Sequence, residues 1–594
     1  MPRDSAKRFF LIRLGDWVVR AFRYTHTILF LLSLVIGVAV GYAALAYRVW
    51  VEWIQEVAFV AEGEKLVAAA GALPDWRVFA VPVLGSLIVM AILKWLVPGH
   101  RPHAVAEAIE AAALRDGRID ARVGLGSALA TATALGAGAS TGREGPMVHA
   151  GATVASYIAQ KLHLTPAIAR TLLGCGVASA IAASFNAPIA GVIFALEVVV
   201  GHYALHALAP VVIAGVAGTV VTRIHVGDYP AFTVPPLSIA SFWEFPAFLL
   251  LGLICAGVAV GFSKLVMLTD HWRKRIWPGP DWALPPVAGI LIGAMALWLP
   301  QILGVSYETT DAALRGNLAL WVLLALIPMK MLATSVCLAC RFGSGVFSPS
   351  LFLGAMTGAA FGLIVTAVFP EQASQTGVYA IVGMAAVSSA VLGAPISTLL
   401  IIFELTGNYE VTIAVMLAGA MASLIASLIY KPSIFIVQLE QRGIRLEGGK
   451  ATHLLKATPV RSIMIRDFVP VRETDSMDYA RRLMLAHEGV LPVIDETGEL
   501  KGVLSHTSLP DEEADEAVEG GIMQVAQFYR QNPTAVAASD CLEDALKLLE
   551  RLGEDSVPVV QSLDRPLVVG ILRLRDVLQA YNRALLDAQG MTLR

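Results

Sequence analysis

The sequence predicts an all-α polytopic membrane domain built of two repeats with broken helices, followed by a cytoplasmic α/β domain present in two copies. Three observations predict it. The first is hydropathy: 56% of the 594 residues are hydrophobic and 15% charged, with a mean hydropathy of +0.67. Uncharged runs such as Thr27–Tyr47, Phe245–Phe262, Phe342–Pro370 and Val411–Tyr430 approach or exceed the roughly 20 apolar residues that cross a bilayer as a helix. The second is a repeated grammar. Phe185–Glu197 reads FNAPIAGVIFALE and Leu392–Glu404 reads LGAPISTLLIIFE, each with a glutamate nine residues after its proline. Upstream of each lies a Gly-x-x-x-Pro turn, GREGP at Gly142–Pro146 and GVFSP at Gly345–Pro349, so that order and spacing both repeat. The third is an abrupt change of composition after Tyr430, where the apolar text ends.

Taken in order, residues 1–23 carry cations and lack a compact signal-peptide core with a cleavage site, which predicts a cytoplasmic N-terminal segment. Residues 24–443 are expected to form the membrane domain, in repeats of roughly 24–225 and 240–443. Several of its apolar segments are too short, or too broken by glycine, to span cleanly. Such backbone is tolerated in a membrane only inside protein or lining a cavity, which predicts a thick multi-helix assembly. Residues 444–457 read as a linker. Residues 458–594 alternate amphipathic helices with short strands: VRETDSMDYARRLMLAHEG, LPVID and KGVLS, then AASDCLEDALKLLERLGEDS, VPVVQ and VVGILRLRDVLQAYNRAL. That alternation predicts a compact α/β unit in two copies, with the acidic run Asp511–Glu519 as a solvated loop between them.

Composition also excludes classes of function. A net charge of −3 with no basic block gives no reason to expect nucleic acid. The five cysteines are too scattered for a disulfide framework, and Cys337 and Cys340 form a C-x-x-C without a second pair or nearby histidines. There is no H-E-x-x-H, no Ser/His/Asp set and no phosphate-binding Gly-Lys loop, so no enzyme and no required cofactor are expected. The expected surroundings are a lipid bilayer, and the lack of targeting features fits a bacterial inner membrane with both termini cytoplasmic.

The most pointed chemical signal is Gly142-Arg143-Glu144-Gly145-Pro146. Pro146 suits the first turn of a helix, because its missing N–H has no partner there anyway. The N–H groups at such a start, with their partial positive charge, suit an anion. Glu144 is placed to put its own carboxylate where that anion binds, and an ionisable group inside a membrane domain is a functional candidate. The plainer alternative is a structural cap or a partner for Arg143. GVFSP offers a second helix start without fixed charge, where Gly343, Ser344, Gly345 and Pro349 turn the chain and Gly345, Val346 and Phe347 are expected along the anion path; its plainer alternative is close helix packing by small residues. Glu197 and Glu404 are expected to support the fold through hydrogen bonds at helix ends.

GREGP, the FNAPIAGVIFALE and GAPISTLLIIFELTGNY segments, and GVFSP resemble the CLC family of chloride channels and anion/proton exchangers, over about Tyr24–Gly443. The C-terminal pair resembles tandem CBS domains. The resemblance implies a homodimer with one anion pathway per subunit, each subunit made of inverted repeats whose short helices point their N-termini at the anion. Glu144 matches the gating glutamate and Phe347 the anion-lining aromatic residue. Three positions depart from the family pattern. The serine that reaches the central anion is replaced by His103, in Pro102–Glu107, which either donates to an anion or titrates near neutral pH, or sits on a vestibule wall. The central tyrosine falls on Phe435, which keeps the ring and loses the hydroxyl. The proton-accepting glutamate of exchangers falls on Val198, which carries no proton.

These departures lead to the expectation of a passive chloride channel gated by protonation of Glu144, with activity rising as external pH falls. The alternative is a chloride/proton antiporter with a substitute internal proton route. The CBS resemblance raises an adenine nucleotide as a ligand, but its ribose-contact pattern is half kept in each copy: Gly502–Ser508 retains Ser505, and Gly570–Asp576 retains Asp576 with Arg573 at the hydroxyl position. Stabilisation of the dimer is therefore the stronger expectation for these modules.

Overall fold

The computed structural model describes residues 3–444 except 62, 64, 202, 204, 229–231 and 233–237, and residue 455 and residues 458–589 except 487–489, 506–522, 532–533 and 564. The acidic run Asp511–Glu519 and most of the 444–457 linker lie outside the described residues. The chain divides into two compact units, Met1–Ile444 and Arg445–Arg594.

In the first unit, α1 (Arg3–Phe59), α2 (Leu66–Ala72), α3 (Asp75–Leu96), α4 (Val105–Leu114) and α5 (Ala121–Gly136) lead to four helices that recur later in the chain. These are α6 (Glu144–Lys161), α7 (Pro166–Phe185), α8 (Pro188–Phe194, continued by one π turn to Val200) and α9 (Leu205–Val226). Then come α10 (Phe245–Ile276), α11 (Pro285–Ala296), α12 (Tyr307–Leu314) and α13 (Leu320–Ala339). The recurring set is α14 (Phe347–Val368), α15 (Thr376–Leu392), α16 (Pro395–Thr406) and α17 (Tyr409–Ile429), followed by α18 (Ile434–Glu440). Among the described residues, eight helical stretches are long and apolar enough to cross a membrane; α8, α15 and α16 fall among the shorter apolar ones.

The two Ala-Pro-Ile segments fold by one device. Helix α7 ends on Asn186 at φ 58°, and α15 ends on Gly393 at φ 67°. Both are left-handed residues, a conformation that asparagine and glycine tolerate and most side chains do not. Ala187 or Ala394 then precedes a proline that starts the next helix. The resulting helix starts are capped from the opposite repeat. The Glu197 carboxylate accepts the N–H groups of Ile396 (3.2 Å) and Ser397 (2.8 Å) at the head of α16, and also the Ser397 hydroxyl. The Glu404 carboxylate accepts those of Ile189 (2.9 Å) and Ala190 (2.8 Å) at the head of α8. Two first-turn donors without intrahelical partners thus meet an anion at each helix head. The glutamates act at helix ends, as expected; that each serves the other repeat is a feature of the folded chain.

Close packing within each repeat is symmetric too. A Cβ on Gly151 of α6 would lie 2.4 Å from the Gly176 carbonyl oxygen of α7, and one on Gly354 of α14 would lie 2.3 Å from that of Gly383 on α15. Small residues let backbones approach where water supplies no hydrophobic drive between helices. Where the repeats meet, the Gly142 N–H donates to the Gly345 carbonyl at 2.9 Å in a single antiparallel bridge. This is the arrangement of inverted repeats with broken helices.

The second unit contains two α/β modules. In the first, β1 (Val471–Arg472), α19 (Met477–Ala486), β2 (Leu491–Ile494), β3 (Leu500–Leu504) and β4 (Arg530–Gln531) form a sheet of order β1-β2-β3-β4. In the second, β5 (Val536–Ala537), α20 (Leu542–Leu552), β6 (Ser556–Val560), β7 (Val568–Arg573) and α21 (Leu574–Gln589) give the order β5-β6-β7. The copies share their topology. Val471 pairs with Val493 and Val536 with Val559 in parallel, and each middle strand then pairs antiparallel with the next. Alternate strand residues and one face of each helix bury separate cores, around Val493 and Leu504 in one copy and Val559 and Leu572 in the other.

Candidate functional site

The bridge between Gly142 and Gly345 sets the N-termini of α6 and α14 side by side. Neither glycine has room for a side chain: a Cβ on Gly345 would lie 2.0 Å from the Gly142 carbonyl oxygen. One on Gly142 would lie 3.0 Å from both a Glu144 carboxylate oxygen and the Ser348 amide nitrogen. The carboxylate of Glu144 therefore stands where the two helix heads meet, the place their unpaired N–H groups make favourable for an anion. It is fully buried. Tyr307, the first residue of α12, donates its hydroxyl to Oε1 at 2.7 Å, and Ser348 donates to Oε2 at 2.5 Å. Arg143 comes no nearer than 3.9 Å to Oε1 and lays its guanidinium over the Tyr307 ring at 4.7 Å. Neutral hydroxyls, more than the arginine, hold this carboxylate.

Tyr307 is itself held in place. Its ring packs on Phe232 with centroids 4.5 Å apart. The residue before it, Ser306, is left-handed at φ 64°. The loop leading to it is pinned by Lys330 from α13, whose fully buried ammonium donates to the carbonyls of Ile302 and Gly304 (both 3.0 Å) and to the Ser306 hydroxyl (2.8 Å).

The segment Pro102–Glu107 wraps against the same helix heads. A Cβ on Gly145 would lie 3.3 Å from the Gly345 Cα and 3.4 Å from the Ala104 Cβ. The Glu107 carboxylate accepts the Ala104 N–H at 2.8 Å and pairs with Arg442 (2.6 Å) and Arg101 (3.2 Å), fastening α4 to the end of α18. These groups line a cleft of about 130 Å³ that also carries Asp270, Lys274, Arg341, Gly343, Ser344 and Gln441. Its four cations against two carboxylates favour anions in the mouth. A second recess, with Arg48, Glu52 and Gln55 of α1, reaches Arg143 and Tyr307. Glu144, bonded to Tyr307 of one recess and adjoining the Gly145–Ala104 contact that borders the other, stands between them.

The structure thus brings together Gly142, Arg143, Glu144, Gly145, Gly345, Val346 and Phe347, with Val346 immediately ahead of α14. The Phe347 ring packs against Phe185 (5.1 Å) and Phe194 (5.9 Å) at the ends of α7 and α8. The His103 backbone joins the group, its N–H donating to Ser127 and its carbonyl accepting from Ser344 (both 3.2 Å). Its ring turns instead to His149 of α6, edge to face at 5.1 Å. Phe435 is buried in the first turn of α18, its amide held by the Ser433 hydroxyl. Val198 lies apart, half-buried in the π turn that packs on α4. In the second unit Ser505 lines a small cleft with Arg530, Thr534, Glu554 and Ser556, whereas Asp576, at the start of α21, is outside that lining.

Sequence reasoning missed Tyr307, Ser348, Lys330 and His149. Two of them were signalled. Lys330 is the lone charge between Arg315 and Arg341, and a lone cation at membrane depth is a candidate by default. His149 follows Glu144 by five residues within a helix of small and apolar residues. Tyr307 carried no local signal.

Residues 85–427, more than half of the chain, match the model of the voltage gated chloride channel family. The chain belongs to this CLC family. Two CBS domains match at residues 460–511 and 525–583. Among its CLC relatives, a protein of Ralstonia nicotianae named "Putative chloride channel protein ClcB-like" is 32% identical over 67% of this chain and 94% of its own length. The "H(+)/Cl(-) exchange transporter ClcA" of Cronobacter sakazakii is also 32% identical, over 67% of this chain and 86% of its own. The CLC fold is matched by the crystal structure of a slow cyanobacterial Cl−/H+ antiporter, at 20% identity and a TM-score of 0.63, covering 70% of this chain and 97% of that one. A eukaryotic CLC transporter matches over 92% of this chain and 97% of its own, at 20% identity and a TM-score of 0.61.

Proposed function

We propose that the protein exchanges chloride for protons across the membrane, with Glu144 as the group that both competes with chloride and carries the proton. The single observation that carries this reading is the burial of an ionisable carboxylate, held by two hydroxyl donors, at the meeting point of two helix N-termini. Such a site accepts either a chloride ion or the carboxylate, and the two cannot occupy it together. Protonation removes the charge that both helix heads and both hydroxyls favour, so a neutral Glu144 yields its place to chloride. Each exchange of occupant then moves an anion one way and frees a proton the other. The exchange transporters among the relatives, 29% and 32% identical, favour this reading over the passive channel expected from the three departures in sequence.

The passive channel stands as a second reading because of Val198, an apolar residue where the resemblance implies a proton-accepting glutamate. One measurement separates the two: the reversal potential of purified protein in liposomes, at a fixed chloride gradient and a varied pH gradient. A potential that moves with the pH gradient supports exchange. One fixed at the chloride equilibrium value rejects it and leaves the channel. Glu144→Gln is expected to abolish proton movement and to leave chloride flux nearly independent of pH in either case. A homodimer in a bacterial inner membrane, with both termini cytoplasmic and the CBS pair stabilising the dimer, completes the proposal.

A further inference from the structure

The exchange reading needs a route by which protons reach Glu144, and Val198 supplies no carrier. The membrane unit holds a titratable group in a suitable place. His149 is 1% exposed, and neither of its ring nitrogens has a hydrogen-bond partner among the described residues. Burying such a group unpaired costs about 1–3 kcal/mol, and an unsatisfied buried group in a folded chain calls for an explanation. The ring is not isolated. It meets the His103 ring edge to face with centroids 5.1 Å apart. His103 is partly exposed and lies between Pro102 and Ala104, both of which line the cleft.

At its other end, His149 shares α6 with Glu144, five residues on, a rise of about 7.5 Å along the helix axis. Five residues also turn the helix by about 140°, so the two side chains leave α6 on different faces; cleft, His103 and His149 form a continuous series, and α6 carries it towards the buried carboxylate. Histidine is the side chain whose ordinary protonation range spans neutral pH. The charged or titratable groups that act on His149 are His103 and Glu107; those that act on His103 are Glu107, Arg101, Arg442 and Arg115. One carboxylate stands among them to steady a transient positive charge, and the arginines keep that charge from persisting.

We propose that His103 and His149 form a two-step proton relay between the cleft and Glu144, taking the part that Val198 does not fill. A hydronium or water proton from the cleft binds a ring nitrogen of His103. The imidazolium gives it to the neutral His149 ring when the two rings turn into hydrogen-bond contact, and His149 delivers it to the Glu144 carboxylate through intervening water. Both rings return to neutral and Glu144 becomes the uncharged acid, so each cycle moves one proton and consumes no other reactant. This relay rests on the exchange reading.

The test measures chloride efflux and proton uptake together, in liposomes containing the full-length protein or His149→Gln. The expected result is that wild-type protein drives protons uphill on a chloride gradient, and that H149Q raises the ratio of chloride to protons moved at least about ten-fold, whatever its chloride turnover, since ten-fold corresponds to ~1.4 kcal/mol. A coupled wild type with an equally coupled H149Q overturns the relay and leaves exchange standing. A wild type that moves no protons rejects the exchange reading itself, and the relay with it. Should H149Q fail to insert, H149N carries the same comparison, and unchanged coupling there likewise overturns the relay.

Discussion

Replacing Tyr307 by phenylalanine isolates one bond at the candidate site. The ring is kept by Phe232 at 4.5 Å and by the Arg143 guanidinium at 4.7 Å, so the substitution removes the hydroxyl and little else. What is lost is a 2.7 Å bond to a fully buried carboxylate, and a hydrogen bond to a charged group contributes about 1.5–3 kcal/mol. The bond favours the seated, charged Glu144 over the neutral, displaced one. Its loss therefore shifts that balance by roughly one to two powers of ten. Chloride efflux from liposomes, measured as initial rate against pH, is expected to retain its activity about one to two pH units further into the alkaline range. The double variant Tyr307→Phe, Glu144→Gln is expected to show no such shift over Glu144→Gln alone, because the acceptor is gone. A Y307F profile that coincides with the wild type, or that moves to lower pH, would refute the role given to the hydroxyl.

Other perturbations follow from the same contacts. Lys330→Met leaves two carbonyls and the Ser306 hydroxyl without their shared donor. A loss of about 3 kcal/mol or more is expected as a lowered unfolding midpoint in detergent, with a transport defect resembling that of Y307F. Glu404→Ala uncaps the head of α8 and is expected to cost about 1–2 kcal/mol, readable by the same thermal assay, without the pH shift of Y307F. Gly345→Ala forces a Cβ to 2.0 Å from the Gly142 oxygen and is expected to abolish chloride flux. Wild-type flux from a well-folded G345A would show that the bridge between the helix heads is dispensable.

The repeat grammar carried much of this architecture. Proline and glycine positions fix where helices start and stop by local sterics, so α6, α8, α14 and α16 were legible as helix heads before their partners were known. The strands LPVID and KGVLS likewise follow from alternation alone, as β2 and β3 bear out. What the sequence conceals is which distant groups complete those heads. Tyr307 reaches Glu144 across 163 positions, from a loop whose direction depends on a left-handed serine and a lysine in the next helix. Nothing within a window of a few residues encodes that meeting. His103 shows the converse: its departure from the family pattern was visible, but its partner His149 is set by the packing of the 102–104 loop on α6.

The crossed capping of α8 and α16 has a consequence in time. The Ile189 N–H finds its acceptor on Glu404, 215 positions later in the chain. At about 5–20 residues per second of synthesis, the head of α8 waits on the order of 10–40 s for its cap. Glu144 waits similarly for Ser348. During that interval the first half of the membrane unit holds one rim of the anion site and lacks the other. A ribosome stalled at mid-chain would thus leave an incomplete half-site in the membrane, and the permeation path comes into being only once the second half has been threaded into the bilayer.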